Sequence, residues 1–138
     1  MKQRILSILV DNTSGVLSRV AGLFSRRGYN IDSLTVGVTA DPMYSRMTVV
    51  ASGDDLVLEQ ITRQLEKLVD VRDIKVLKPD ESVNRELILV KVKADAQTRQ
   101  NVISVADIFR AKIVDVGMES LIVELTGAQN KLDAFLNL

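Results

Sequence analysis

The sequence predicts an α+β fold in which one strand–helix plan is used twice. Two observations carry this. Hydrophobic periodicity switches between strand and helix spacing in the order βαββαβ over residues 1–77, and residues 86–138 repeat that order as far as βαββα. Between them, Lys78-Pro79-Asp80-Glu81-Ser82 is polar and holds one of the chain's two prolines, so residues 78–85 read as a linker.

Each element follows from local pattern. Residues 3–10 form an apolar first strand. Val16, Val20, Leu23 and Phe24 then lie on one face of a helix from Gly15 to Arg27, which Gly28 is placed to end as a left-handed cap. Tyr29 to Thr39 is a second strand, with Leu34, Val36 and Val38 on one side and Ile31, Ser33 and Thr35 on the other. After the Asp41-Pro42 turn, Arg46 to Ser52 is a third strand. Asp54 and Asp55 open a helix whose buried stripe is Leu58, Ile61, Leu65 and Leu68, and Val71 to Leu77 closes the first series.

The second series runs through a strand at residues 87–94 and a helix at 97–110, with Val102, Val105, Ala106 and Phe109 on one face. A strand pair at 113–116 and 121–126 turns near Gly117, and a helix begins at Asn130. Two ferredoxin-like units are the natural architecture, helices on one face of an antiparallel sheet. The expected domains are 1–77 and 86–138, the second without its final strand. Units this small bury modest cores and lean on oligomerisation, so a homodimer is the default expectation.

Composition narrows function. Of 138 residues, 46% are apolar and 26% charged, with 18 basic and 18 acidic side chains balancing to zero. A neutral chain with three Phe, two Tyr and no Trp argues against a nucleic-acid binder. The absence of Cys and His excludes disulfides and nearly every zinc or haem site, and it removes the commonest general acid–base. A nucleophilic serine would need an unusual Ser–Lys pair. No apolar run reaches membrane-span length and no signal-peptide core is present, so the expectation is a cytoplasmic protein. Neither a P-loop nor a Gly-x-Gly-x-x-Gly string occurs, and the paired acids Asp54-Asp55 and Asp80-Glu81 read as helix-start and linker charges.

One stretch invites a ligand. Asn12-Thr13-Ser14-Gly15 joins the first strand to the first helix, where unpaired backbone N–H groups and the positive end of the helix dipole favour an anion. Strands joined by a βαβ crossover lie near each other, which brings in Asn30. Two Asn side chains, each with donor and acceptor, would suit a zwitterion. From the residues alone a plain turn, with Ser14 as N-cap, remains the simpler account.

Asn12-Thr13-Ser14-Gly15-Val16-Leu17 resembles the D-x-x-G-x-L signature of ACT domains, which sense small amino acids, with Asn in the Asp position. The longer string from Asn12 to Val36 is similar to the small, regulatory subunit family of acetolactate synthase (acetohydroxyacid synthase), where Asn at that position is usual. Ser45-Arg46-Met47-Thr48, residues 65–71, residues 85–92, Ile108-Phe109-Arg110 and Lys131-Leu132-Asp133-Ala134-Phe135 continue the match.

The resemblance implies a non-catalytic regulatory subunit in branched-chain amino acid (valine, isoleucine, leucine) biosynthesis. It would activate a large catalytic subunit and confer feedback inhibition by valine or another branched-chain amino acid, bound where two ACT domains of a homodimer meet. Carried over by position, Asn12 and Asn30 supply polar side-chain contacts, Gly15 and Val16 supply backbone donors, and Ser18 lines the same site. This chain would need no cofactor; thiamine diphosphate, magnesium and FAD are expected in the catalytic partner. The family usually continues past the position of Leu138 with a final strand and a short tail. The alternative is a free-standing amino-acid-sensing ACT module serving another enzyme.

Overall fold

A computed structural model describes residues 2–138 of the chain. Its elements are β1 (Lys2–Asp11), α1 (Val16–Arg26), β2 (Asn30–Val38), β3 (Tyr44–Gly53), α2 (Asp55–Glu66) and β4 (Val71–Leu77). They continue with β5 (Glu86–Lys93), α3 (Arg99–Ile108), β6 (Lys112–Val116), β7 (Ser120–Gly127) and α4 (Gln129–Leu136). Contacts divide the chain between Ser82 and Val83 into two units.

In the first unit the strands lie in the order β2-β3-β1-β4, each antiparallel to its neighbours. Alternation explains the layering: Leu6, Ile8 and Val10 of β1 pair with Val49, Met47 and Ser45 of β3 and share the face that α1 and α2 cover. Val16, Val20, Leu23 and Phe24 from α1, with Leu58, Ile61 and Leu65 from α2, complete a closed apolar core. Each fully buried side chain of this size contributes ~1.5–3 kcal/mol, so the helical stripes fix where the helices sit.

Two local readings are corrected. Gly15, not Ser14, is the N-cap of α1; it stands at φ 86°, and no side chain caps the helix. A left-handed residue at the half-in position suits glycine, whereas a capping serine needs extended backbone there. In β2 a bulge falls at Asp32, between the pairings Ile31↔Ala51 and Ser33↔Val50. The extra residue moves Ile31 to the helix-covered side with Leu34, Val36 and Val38, and leaves Ser33 and Thr35 on the other. By contrast α2 starts as expected, with Asp54 accepting from the Val57 N–H at 2.8 Å.

Gly28 does end α1 in the left-handed conformation, at φ 71°. Its N–H donates to Ser25 O at 3.2 Å, and the Tyr29 N–H donates to Phe24 O at 3.0 Å, which satisfies two orphan carbonyls of the last turn. The second unit repeats the device. α3 ends with Arg110 at φ 59°, its N–H on Asp107 O at 3.1 Å and the Ala111 N–H on Ala106 O at 2.8 Å.

The second unit has a sheet in the order β5-β7-β6. Before α3, the Asp95 carboxylate accepts from the N–H groups of Gln97 and Thr98, both at 2.9 Å, which holds this carboxyl below its usual range. Val123 and Leu125 of β7 pack with Ala106, Leu132 and Phe135, and Phe135 meets Phe109 edge-to-face at 5.3 Å. Arg99 clamps the β6–β7 turn, its Nη2 donating to Gly117 O at 2.6 Å and Met118 O at 2.9 Å. The place beside β5 that matches β4 beside β1 holds no strand among the described residues.

Candidate effector site

The corner between β1 and α1 is built on the β2–β3 hairpin. Asn12 donates its backbone N–H to Met43 O at 2.8 Å and its Nδ2 to Pro42 O at 2.9 Å, and its Oδ1 accepts from Ser45 Oγ at 3.2 Å. Asn12 therefore pins the loop to the hairpin and retains one N–H and one lone pair for anything else.

From there Gly15 turns the chain into α1. The helix has no acidic residue in its first turn and no side-chain cap. Its first N–H groups and the positive end of its dipole are thus open. Val16 contributes only backbone, because its side chain is in the core, while Ser18 is exposed one turn on.

A charged group that sequence reasoning missed lies over this helix start. Arg19 Nη1 stands 3.0 Å from where a Cβ on Gly15 would be. Its Nε donates to Asp70 Oδ2 at 2.5 Å, and that hydrogen bond is the main reason its pKa is raised. Asp70 is buried, and its carbonyl accepts the Asp11 N–H at 2.9 Å. Asp11 in turn receives Arg72 in a two-pronged pair, at 2.7 and 3.1 Å. The signal for Arg19 was its place four residues after Gly15, one turn along the same helix face. For Asp70 no local pattern pointed to it.

Asn30 lies elsewhere. It pairs with Ser52 at one end of β3, whereas Asn12 bonds Ser45 near the other. Seven residues at about 3.3 Å each put roughly 23 Å between those ends. The expectation that Asn30 lies near the turn within one chain is corrected: β1 and β2 run parallel, each antiparallel to β3, so Asn30 at the start of β2 lies level with Gln3 near the start of β1, at the opposite end from the corner that follows β1. Around Asn30 is a polar cluster. Its Nδ2 donates to Asp32 Oδ1 at 2.6 Å, and Asp32 Oδ2 accepts from Gln3 Nε2 at 3.1 Å and from Ser52 Oγ. The Ser52 bond foremost, then those from Asn30 and Gln3, hold the Asp32 carboxyl below its usual range against the opposing effect of burial.

β2 is an edge strand. Its Leu34, Val36 and Val38 remain 37%, 47% and 62% exposed, and Leu17 of α1 is 47% exposed. Two clefts of this unit lie away from the corner. One of about 470 Å³ runs between α2 and the β1–β4 edge, past Leu6, Leu58 and Val76. The other, of about 420 Å³, lies between the last turns of α1 and α2, with Arg26, Arg27 and Lys67 on its rim. Among the described residues no cluster of acids is arranged to hold a metal ion, and no helix is long and apolar enough to cross a membrane.

An antiparallel sheet in the order β2-β3-β1-β4, two helices on one face and a glycine corner leading into the first of them define an ACT-type domain. Comparison with known proteins agrees: the AHAS small subunit-like ACT domain model matches residues 6–73, and the model for the small subunit of acetolactate synthase matches residues 85–138. The chain belongs to the acetolactate synthase small-subunit family. It is 55% identical to the acetolactate synthase small subunit of Mycolicibacterium smegmatis, over 95% of this chain and 77% of that one. It is 51% identical to the Haemophilus influenzae small subunit, over 98% and 83%. The crystal structure of the Thermotoga maritima small subunit superposes with a TM-score of 0.93 at 42% identity, covering 99% of this chain and 86% of that one.

Proposed function

We propose that this chain is the regulatory subunit of acetolactate synthase. In this reading it raises the activity of the large catalytic subunit in the cytoplasm and passes on inhibition by a branched-chain amino acid, valine foremost. Thiamine diphosphate, magnesium and FAD belong to the catalytic partner. The observation that carries the effector site is the open start of α1: a helix of 11 residues entered through left-handed Gly15, with neither a side-chain cap nor an acid to occupy its N–H groups.

One chain holds only half of such a site. β2 is an unpaired edge with exposed Leu34, Val36 and Val38 beside it. Two copies joined antiparallel through β2 bring the Asn30 end of one strand to the Val38 end of the other, where the Asn12 corner sits on the hairpin. A homodimer thus accounts for two site residues that a single chain keeps at opposite ends of its sheet. Gly15 and Val16 offer backbone donors to a carboxylate, with Asn12, Ser18 and the second copy's Asn30 around it. A Kd of ~0.1–1 mM requires about 4–5.5 kcal/mol net, within reach of a few charge-assisted hydrogen bonds and one buried isopropyl group.

The test is acetolactate formation by the large subunit with and without this chain across a valine titration. The expected result is higher activity with the chain, and valine inhibition only in its presence. Equal activity and equal valine response in both arms would overturn the proposal.

A further inference from the structure

The charges of the helix layer are sorted by side. The cleft beside β4 takes all three acids of α2, with Asp55, Glu59 and Glu66 on its walls and Arg4 and Arg63 bonded to the first two of them. The cleft between α1 and α2 has the opposite lining: Arg26, Arg27 and Lys67 stand around Gln64, Leu23 and Leu68, and no acid lines it. Among the described residues none of these three cations has a carboxylate partner. Asp70, three residues past Lys67, is taken by Arg19. Arg26 commits only its Nε, to Gly22 O of its own helix at 3.3 Å. In a chain whose 18 basic and 18 acidic side chains cancel, this is a concentrated local surplus of positive charge. A helix dipole favours a cation in the last turn, worth ~0.3–1 kcal/mol, but it does not require that the acids stay on the other flank.

We propose that this cleft is where an acidic segment of the large catalytic subunit docks, its carboxylates meeting Arg26, Arg27 and Lys67. This rests on the regulatory-subunit reading above. The backbone decides between a protein segment and a small anion. Phosphate sites surround their ligand with backbone N–H groups at a helix start, whereas this cleft lies at the C-terminal, negative ends of α1 and α2. Positive charge comes only from three long side chains, all exposed, which can follow an incoming surface. Opposed charges of this kind speed association and fix its register more than they add affinity. The lining includes no residue of β2, the edge through which two copies pair in the reading above.

The experiment titrates the large subunit with the full chain and reads acetolactate formation at low and at high salt. The chain concentration for half-maximal activation is expected to rise about tenfold or more in the Arg27→Glu/Lys67→Glu variant, with the plateau activity retained. Wild type should need more chain as salt rises, and the variant should lose most of that dependence. Lys75→Glu/Lys112→Glu, an equal charge change on β4 and β6, should leave the half-maximal concentration unchanged. Arg27→Gln/Lys67→Gln, which removes the charges without reversing them, should shift it in the same direction by less, and carries the test if the glutamate variant fails to fold. Equal half-maximal concentrations in wild type and the folded cleft variants overturn the proposal. An equal shift from Lys75→Glu/Lys112→Glu also overturns it, because net charge alone would then be at work. Pyrophosphate that binds the wild-type chain and leaves its activation of the large subunit unchanged would make the cleft a small-anion site and overturn the docking. Wild-type chain that fails to activate the large subunit at either salt overturns the regulatory-subunit reading itself.

Discussion

At the scale of single residues, Gly15 carries two demands at once. Its φ of 86° costs an L-residue roughly 1–2 kcal/mol, and a Cβ there would stand 3.0 Å from Arg19 Nη1, at the end of a side chain that can give way. Gly15→Ala and Gly15→Asp therefore share the backbone strain, and only the aspartate adds a charge facing the incoming carboxylate. Both variants should lower the unfolding free energy of the first unit by up to about 1 kcal/mol in urea titrations, the strain being partly offset by the freedom that the unfolded chain loses with glycine. Gly15→Asp should lose valine inhibition at least tenfold further than Gly15→Ala while still activating the large subunit; equal valine response in the two variants would refute the charge argument. Asn12, Gly15, Val16 and Asn30 were singled out in the sequence because they sit on a recognisable string. Arg19, Asp70 and Asp32 were not. Arg19 and Asp70 meet across 51 residues of chain, and Asp32 acquires its partners through a bulge that alternation of side chains does not reveal.

At the scale of elements, the two units end their first helices in the same way, and the difference between them is one residue. Gly28 takes the left-handed position after α1, with nothing within 4 Å of an added Cβ, while Arg110 takes it after α3 at φ 59°. Glycine relieves roughly 1–2 kcal/mol of strain in such a position but adds ~0.4–1 kcal/mol of freedom to the unfolded chain. Arg110→Gly should thus stabilise the second unit by up to about 1 kcal/mol, and Gly28→Ala should destabilise the first by a similar amount. Thermal melts of the two variants moving in the same direction would contradict this. The elements themselves were legible because each buried stripe keeps its period: Val16, Val20, Leu23 and Phe24 on α1, or Leu121, Val123 and Leu125 on β7. Strand order was harder to read. β2 runs parallel to β1, so its first residue Asn30 lies level with Gln3 and not with Asn12, and nothing local in Asn30 or Asn12 reports it.

At the scale of the whole molecule, the proposed site is shared between two copies, so its ligand would act on their join. An effector held by the Gly15 corner of one chain and by Asn30 of another would stabilise their edge-to-edge pairing, and whatever weakened the pairing would weaken the effector. Leu34 and Val36 lie along that edge without contributing a polar group to the ligand. Leu34→Lys, at the centre of β2 where the two strands of an antiparallel β2–β2 join would set like charges opposite each other, should shift sedimentation from dimer toward monomer and weaken valine in parallel. Coupling to the large subunit must also be reciprocal: if valine changes how tightly the chain holds its partner, the partner changes valine affinity by the same factor, typically 5- to 150-fold. Valine titrated into the free chain and into the assembled holoenzyme measures that factor directly. Identical affinities in the two titrations would mean that valine does not change how tightly the chain holds its partner, and inhibition would then have to act on the turnover of the assembled enzyme.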